Sequence, residues 1–181
     1  MPEILKEKLA SKLLCTSPIF RVYEEEILLT NDKQVKYSVV RKKGAVVIIP
    51  LNENKEVVLV DQYRHPTGRS MLELPAGGIE DDETDPAAAC IRELQEEIGF
   101  KPTKLTLLNS SFPVPGYSDE YYYFYLAEGL VPSRLEADPD EFIDVVTLPF
   151  AVALNDARIR EDGKSLLGLF LAQEHISKRS N

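Results

Sequence analysis

The chain has 181 residues, of which 44% are hydrophobic, and 21 basic and 30 acidic residues give it a net charge of −9. This length suits one domain with its own core, and the negative charge argues against a nucleic-acid partner, because phosphate backbones are bound through positive patches. Two cysteines make no disulfide framework, and no signal peptide or membrane span is recognised, so a cytoplasmic protein without a membrane partner is expected.

Residues 1–43 are predicted to form an amino-terminal subdomain. Its first segment, MPEILKEKLASKLL, is amphipathic and predicts a surface or dimer-packing helix. Two strand patterns follow, Ile19–Leu29 and Val35–Arg41, and a polar turn separates them. The prediction for this part of the chain is therefore one helix followed by an antiparallel β-hairpin.

Residues 44–181 are predicted to form the main domain, an α/β structure with a mixed sheet between helices. β-branched runs at Ala45–Pro50 and Val57–Val60 are typical of buried strands. Further strands are predicted at Met71–Leu74, Leu105–Leu108, Tyr121–Leu126 and Phe142–Leu148, and helices at Phe150–Ala157 and Ser165–His175.

A helix is predicted over residues 86–98. Asp85 suits the N-cap, Pro86 suits the first helical position, and Gly99 suits a left-handed stop. The polar side of this helix carries Glu93, Glu96 and Glu97, whose like charges repel at spacings of three and four. The residues alone allow two interpretations: a solvated acidic face, or a site for a hard cation such as Mg²⁺.

The pattern G-x5-T-x7-R-E-L-Q-E-E-I-G-F, from Gly78 to Phe100, resembles the Nudix box. This resemblance implies the Nudix fold and hydrolysis of nucleoside diphosphates linked to another moiety. The box expects glutamate where Thr84 stands, whereas Glu83 has the correct spacing from Gly77 but lies one residue too far from Arg92. A substitution and a one-residue insertion both explain this departure.

Three flanking motifs resemble the ADP-ribose (ADP-sugar) pyrophosphatase branch of that family. They are Asp61–Pro66, Glu73–Gly78 and Pro113–Glu120, and the likeness spans roughly residues 18 to 150. The branch implies a homodimer that uses Mg²⁺, with Mn²⁺ as an alternative ion, to cleave an ADP-sugar into AMP and a sugar phosphate. Two alternatives remain: a pyrophosphatase for another derivative, such as a GDP-sugar, NADH or coenzyme A, or a sensor that binds ADP-ribose without cleaving it.

The same resemblance assigns roles to individual residues. The expected metal ligands are the Ala76 carbonyl and the carboxylates of Glu93, Glu96 and Glu97, of which Glu97 is also counted as catalytic. The expected substrate-binding residues are Arg64 for the diphosphate, Pro115 and Gly116, with Tyr37 as a stacking partner for the nucleoside. The general base is expected on a loop, with Glu141 as the first choice and Glu120 as the second.

Overall fold

The computed structural model describes residues 4–80, 82–136 and 142–179. The chain divides into two compact units. One comprises Met1–Gly44 and Phe112–Tyr121, and the other comprises Ala45–Ser111 and Tyr122–Asn181. The described part of the chain contains no helix that is long and apolar enough to cross a membrane.

The first unit is built on an antiparallel sheet of three strands, β1 (Leu5–Thr16), β2 (Arg21–Leu29) and β3 (Gln34–Arg41), in that order. The predicted hairpin corresponds to β2 and β3. The predicted amino-terminal helix is wrong, because this segment forms β1. Its leucines recur every four residues, at Leu5, Leu9 and Leu13, and this spacing fits both a helical face and one face of a strand.

Phe112–Tyr121 belongs to the same unit and joins the end of β3. Val40 forms a parallel bridge with Ser118, and its amide donates to the Tyr117 carbonyl at 2.7 Å. Within the segment, the rings of Phe112 and Tyr121 meet edge to face at 4.6 Å between centroids. The proline and glycine turn of this segment is therefore fixed beside β3.

The second unit contains a sheet with the order β10-β5-β4-β9-β8, in which β4 and β9 are parallel and the other paired strands are antiparallel. Two short strands extend it, because β6 pairs with β5 and β7 pairs with β4. The seven strands are β4 (Ala45–Leu51), β5 (Glu56–Arg64), β6 (Arg69–Glu73), β7 (Ala76–Gly78), β8 (Phe100–Ser111), β9 (Tyr122–Pro132) and β10 (Ile143–Pro149).

Both faces of this sheet are covered, as the alternation along β4 demonstrates. Val47 and Ile49 pack in one cluster with Leu169 of helix α3 (Gly163–Arg179). Val46 and Ile48 pack in a second cluster with Cys90 of helix α1 (Pro86–Glu93). The prediction of an α/β fold with a mixed sheet between helices is therefore confirmed.

The helix predicted over residues 86–98 is present but changes its winding. Asp85 caps it by accepting the Ala87 amide at 2.9 Å, and α1 then continues as a π-helical turn, Leu94–Ile98. Gly99 ends it at φ 76°, in the left-handed region that glycine adopts without strain. The short helix α2 (Phe150–Ala153) ends earlier than predicted, and α3 extends beyond the predicted segment at both ends.

Candidate active site

Two buried carboxylates lie beside the backbone of β7. Glu93 ends α1 and Glu97 lies in the π-helical turn, and the two residues are only 7% and 5% exposed. Glu97 Oε2 accepts the Ala76 amide at 3.2 Å. A Cβ built on Gly77 would lie 1.8 Å from Glu93 Oε1, so the glycine gives this carboxylate its space. The π-helical turn and β7 thus bring the predicted ligands Ala76, Glu93 and Glu97 together.

Glu96 has a different setting from the other two glutamates. Its Oε2 accepts Arg92 Nη1 at 2.9 Å, and the same nitrogen donates to Glu93 Oε1 at 2.8 Å. Arg92 Nη2 donates to the Gly78 carbonyl at 2.8 Å. Arg92 therefore offsets part of the negative charge of the helix and links the helix to strand β7 by a hydrogen bond.

Glu83 supplies the acidic residue that the sequence pattern left in doubt. Its Oε1 accepts Arg92 Nε at 3.0 Å, and its Oε2 accepts the Glu80 amide at 2.8 Å. The bond to Arg92 lowers the pKa of Glu83, against the opposing effect of burial. These contacts favour a one-residue insertion before Arg92 over a substitution at Thr84.

We expect Glu83→Gln to lower the free energy of unfolding by about 1–2 kcal/mol, because it weakens charged hydrogen bonds to Arg92. The pKa of Glu83 lies below its ordinary 4.5, so the stabilisation is present above pH 4.5 and is lost as the pH falls through the lowered pKa. Urea unfolding at pH 7 and pH 3.5 measures both effects. Thr84→Ala is the control, with a change under about 0.5 kcal/mol; equal effects of the two substitutions would contradict the assignment.

Arg64 ends β5 and is held in a two-point ion pair. Its Nε and Nη2 donate to the two carboxylate oxygens of Glu73, at 3.0 and 2.7 Å. The hydrogen bonds that Arg64 donates to Glu73 raise the pKa of Arg64, and the charge of Glu97 adds to this effect. The Arg64 guanidinium therefore interacts with the charge of Glu97 as well as with its partner Glu73.

Sequence reasoning missed the partners behind this ion pair. Glu73 is 2% exposed, and Lys164 of α3 also bonds its Oε2. Burial raises the pKa of Glu73, but the bonds from Arg64 and Lys164 outweigh burial, so the pKa is lowered. No sequence pattern indicates this contact, because 91 residues separate Lys164 from Glu73 and only the fold brings the two side chains together.

Three predicted substrate-binding residues line one cavity within the first unit. Tyr37 on β3 and Pro115 and Gly116 on the turn enclose about 350 Å³. Arg41 also lines it, and its guanidinium donates to Asp119 at 2.9 Å and to Glu25 at 2.8 Å. The cavity thus combines an aromatic ring with a positioned cation.

Of the two candidates for the general base, the structure describes Glu120 but not Glu141. Glu141 lies outside the described residues. Glu120 is 7% exposed, and its Oε1 accepts Lys42 Nζ at 2.6 Å. Glu120 is therefore engaged in an ion pair within its own unit.

The described residues contain no group of three or more histidine, cysteine or acidic side chains arranged to hold a metal. Mg²⁺, however, is usually bound by one or two carboxylates together with waters and substrate phosphates, rather than by a complete protein cage. Glu93 and Glu97, with the backbone carbonyl of Ala76, would provide hard oxygen ligands of that kind. Both carboxylates are buried against the backbone of β7, and hard oxygens of this kind fit a divalent cation.

Comparisons with known proteins identify the relatives of this chain. The family model described as the NUDIX domain matches residues 41–169. An ADP-ribose pyrophosphatase of Bacillus subtilis (strain 168) is 32% identical, with 91% of each chain covered. A methanol dehydrogenase activator of Bacillus methanolicus is 33% identical, covering 85% of this chain and 84% of the relative.

Two further comparisons extend the range of related activities. A GDP-mannose pyrophosphatase of Yersinia pestis (strain Pestoides F) is 34% identical, covering 81% of this chain and 79% of the relative. The crystal structure of an ADP compounds hydrolase superimposes with a TM-score of 0.86 at 26% identity, covering 96% of this chain and 95% of that one. The resemblance drawn from the box and its flanking motifs is therefore confirmed.

Proposed function

The chain belongs to the Nudix family of hydrolases, which use divalent metal ions, and on this premise we propose that it is a Mg²⁺-dependent ADP-ribose or ADP-sugar pyrophosphatase. The products are AMP and a sugar phosphate. One observation carries the proposal: the buried carboxylates of Glu93 and Glu97 lie beside the backbone of β7, and the charge of Glu97 acts on the Arg64 guanidinium. A metal-bound diphosphate needs both kinds of charge, acidic ligands for the cation and a cation for the phosphate oxygens.

Each residue then has a defined task. Glu93, Glu97 and the Ala76 carbonyl hold the metal, with Glu96 as a further carboxylate partly neutralised by Arg92. A bound divalent ion neutralises the diphosphate and lowers the pKa of its water. Arg64, whose Nε and Nη2 hold Glu73, presents its Nη1 group to the phosphate oxygens.

The cavity of the first unit is proposed to bind the nucleoside half of the substrate. Tyr37 offers a ring face for stacking on a base, and Pro115 and Gly116 form the opposite turn. The chain has no tryptophan, so tyrosine, phenylalanine or arginine must provide this contact. The similarity to an ADP-ribose pyrophosphatase supports adenine as the base.

The test is a panel of ADP-ribose, ADP-glucose, GDP-mannose, NADH and coenzyme A incubated with Mg²⁺, with Mn²⁺ in parallel, and analysed by chromatography. We expect ADP-ribose to give AMP and ribose 5-phosphate with the highest kcat/KM. The related GDP-mannose pyrophosphatase supports a second candidate, a GDP-sugar. Binding of ADP-ribose without cleavage of any compound would instead establish a sensor.

Glu141 is proposed as the general base, and Glu141→Gln is expected to lower kcat about 10²-fold with little change in KM, because the attacking water loses its proton acceptor. Glu120→Gln is the comparison, because Glu120 is engaged with Lys42. Steady-state kinetics on ADP-ribose from pH 6 to pH 9 measures both variants. A larger loss of kcat in Glu120→Gln would exchange the two assignments.

A homodimer is proposed, with the amino-terminal subdomain as its contact surface. Strand β1 pairs only with β2 among the described strands, and its side chains are exposed. Leu5, Leu13 and Leu14 are each about half exposed on it. An edge strand of this kind promotes association between chains. One chain has a mass of 20.4 kDa, and light scattering should give twice this value. A monomer at micromolar concentration would contradict the proposal.

A further inference from the structure

We propose that Lys164 is a positioning residue for Arg64, acting through Glu73, so that the first turn of α3 sets the orientation of the guanidinium that binds the substrate diphosphate. The inference deepens the proposed function and rests on it. Three observations carry it: a shared carboxylate, a charge balance, and a second link from the same helical turn.

The shared carboxylate is that of Glu73. Arg64 uses Nε and Nη2 on its two oxygens, and Lys164 Nζ bonds the oxygen that Nη2 also contacts. Among the described residues, the Arg64 guanidinium makes no hydrogen bond besides these two, so its Nη1 group remains for a ligand. The position of the Glu73 carboxylate therefore decides where this group lies, and Lys164 fixes that position.

The charge balance explains why a lysine is needed. Glu73 is 2% exposed and Lys164 has a side chain 14% exposed, so neither charge is well solvated. Lys164 also contacts Asp162 Oδ2 at 2.8 Å. Arg64 and Lys164 carry two positive charges, and Glu73 and Asp162 carry two negative charges, so the network is neutral. Removal of Lys164 leaves two carboxylates with one arginine, and buried unpaired charge forces side chains to move.

The second link joins the same turn to the segment that leads to the metal ligands. Asp162 accepts the Ser165 amide at 3.1 Å and thus caps α3. Ser165 Oγ in turn accepts the amide of Leu74, the residue after Glu73, at 2.7 Å. Ala76 follows two residues later and donates to Glu97. The start of α3 therefore holds Glu73 by its side chain and Leu74 by its backbone.

A double-mutant cycle tests the inference. Lys164→Met removes the charge and retains the length, and Arg64→Ala removes the group on which Lys164 acts. The dissociation constant for ADP-ribose is measured by calorimetry with metal removed by EDTA, and kcat and KM are measured with Mg²⁺. Lys178→Met is the matched control, since Lys178 lies on the same helix in an exposed pair with Glu174.

We expect Lys164→Met to raise the dissociation constant and KM about tenfold in the native background, with a smaller change in kcat, and to leave them unchanged in the Arg64→Ala background, because contacting residues couple. Lys178→Met should change neither. An equal loss in both backgrounds, or full affinity in Lys164→Met, would overturn the inference. Lys164→Gln completes the same cycle if the methionine variant does not fold.

The cycle also separates this inference from the proposed function. Native protein that cleaves ADP-ribose, with weaker binding in Arg64→Ala and native binding in Lys164→Met, overturns the role of Lys164 alone. Native protein that neither binds nor cleaves ADP-ribose overturns both. Thermal unfolding of every variant adds a second readout. If Lys164 has only a structural role, its replacement should lower the unfolding temperature equally in the native and the Arg64→Ala backgrounds.

Discussion

Glu97→Gln is expected to lower kcat about 10³-fold, because it removes one negative charge from the pair proposed to hold the metal. The substitution preserves the shape of the side chain, and its amide oxygen still accepts the Ala76 amide, which Glu97 Oε2 accepts at 3.2 Å. The decrease in kcat should therefore result from the lost charge and not from a change in the fold. Turnover of ADP-ribose at increasing Mg²⁺ concentration is the measurement, and the metal concentration at half-maximal rate should rise.

Two controls make the Glu97 result specific. Glu174→Gln removes an exposed helical glutamate whose ion-pair partner among the described residues is Lys178, and it should leave kcat unchanged. Glu96→Gln should give a smaller loss than Glu97→Gln, because Arg92 already neutralises part of the Glu96 charge at 2.9 Å. Full turnover in Glu97→Gln would remove this residue from the metal site and favour the solvated acidic face.

Local signals made the helix and its acidic residues predictable. Asp85, Pro86 and Gly99 act within a few residues of the helix they delimit, so its limits could be read before any tertiary contact was known. The burial of Glu93 and Glu97 was not readable from spacing, because an acidic helix face is usually solvated. The resemblance of Gly78–Phe100 to the Nudix box, and not the spacing of the glutamates alone, predicts these carboxylates as metal ligands.

The sequence predictions were wrong or incomplete where contacts between distant parts of the chain determine the structure. The segment of β1 is predicted as a helix because its leucine spacing fits either structure. Its pairing with the backbone of β2 makes it a strand, and the spacing could not indicate that partner. The choice between Glu83 and Thr84 depended on which side chain reaches Arg92, and spacing alone left both open. Lys164 was not singled out, since its meeting with Glu73 requires α3 to pack against the sheet.

Gly77→Ala is expected to lower kcat about 10²- to 10³-fold, because a small displacement of a catalytic group is costly. The added Cβ would lie 1.8 Å from Glu93 Oε1 and 2.0 Å from its Cδ, so the carboxylate must move away from the proposed metal position. The neighbouring strand pairs Val46 with Gly77 within the sheet, which limits a shift of the backbone instead. Steady-state kinetics with Mg²⁺ and thermal unfolding measure the two consequences separately.

Gly78→Ala is the matched control for this prediction. A Cβ on Gly78 meets nothing within 4 Å, and the residue lies on the same short strand, so this variant should retain kcat within about twofold. The pair therefore separates a steric effect on Glu93 from a general weakening of β7. If both alanines lower turnover equally, the flexibility of the glycine strand matters more than the space beside Glu93; if neither does, Glu93 is not confined by Gly77 during catalysis.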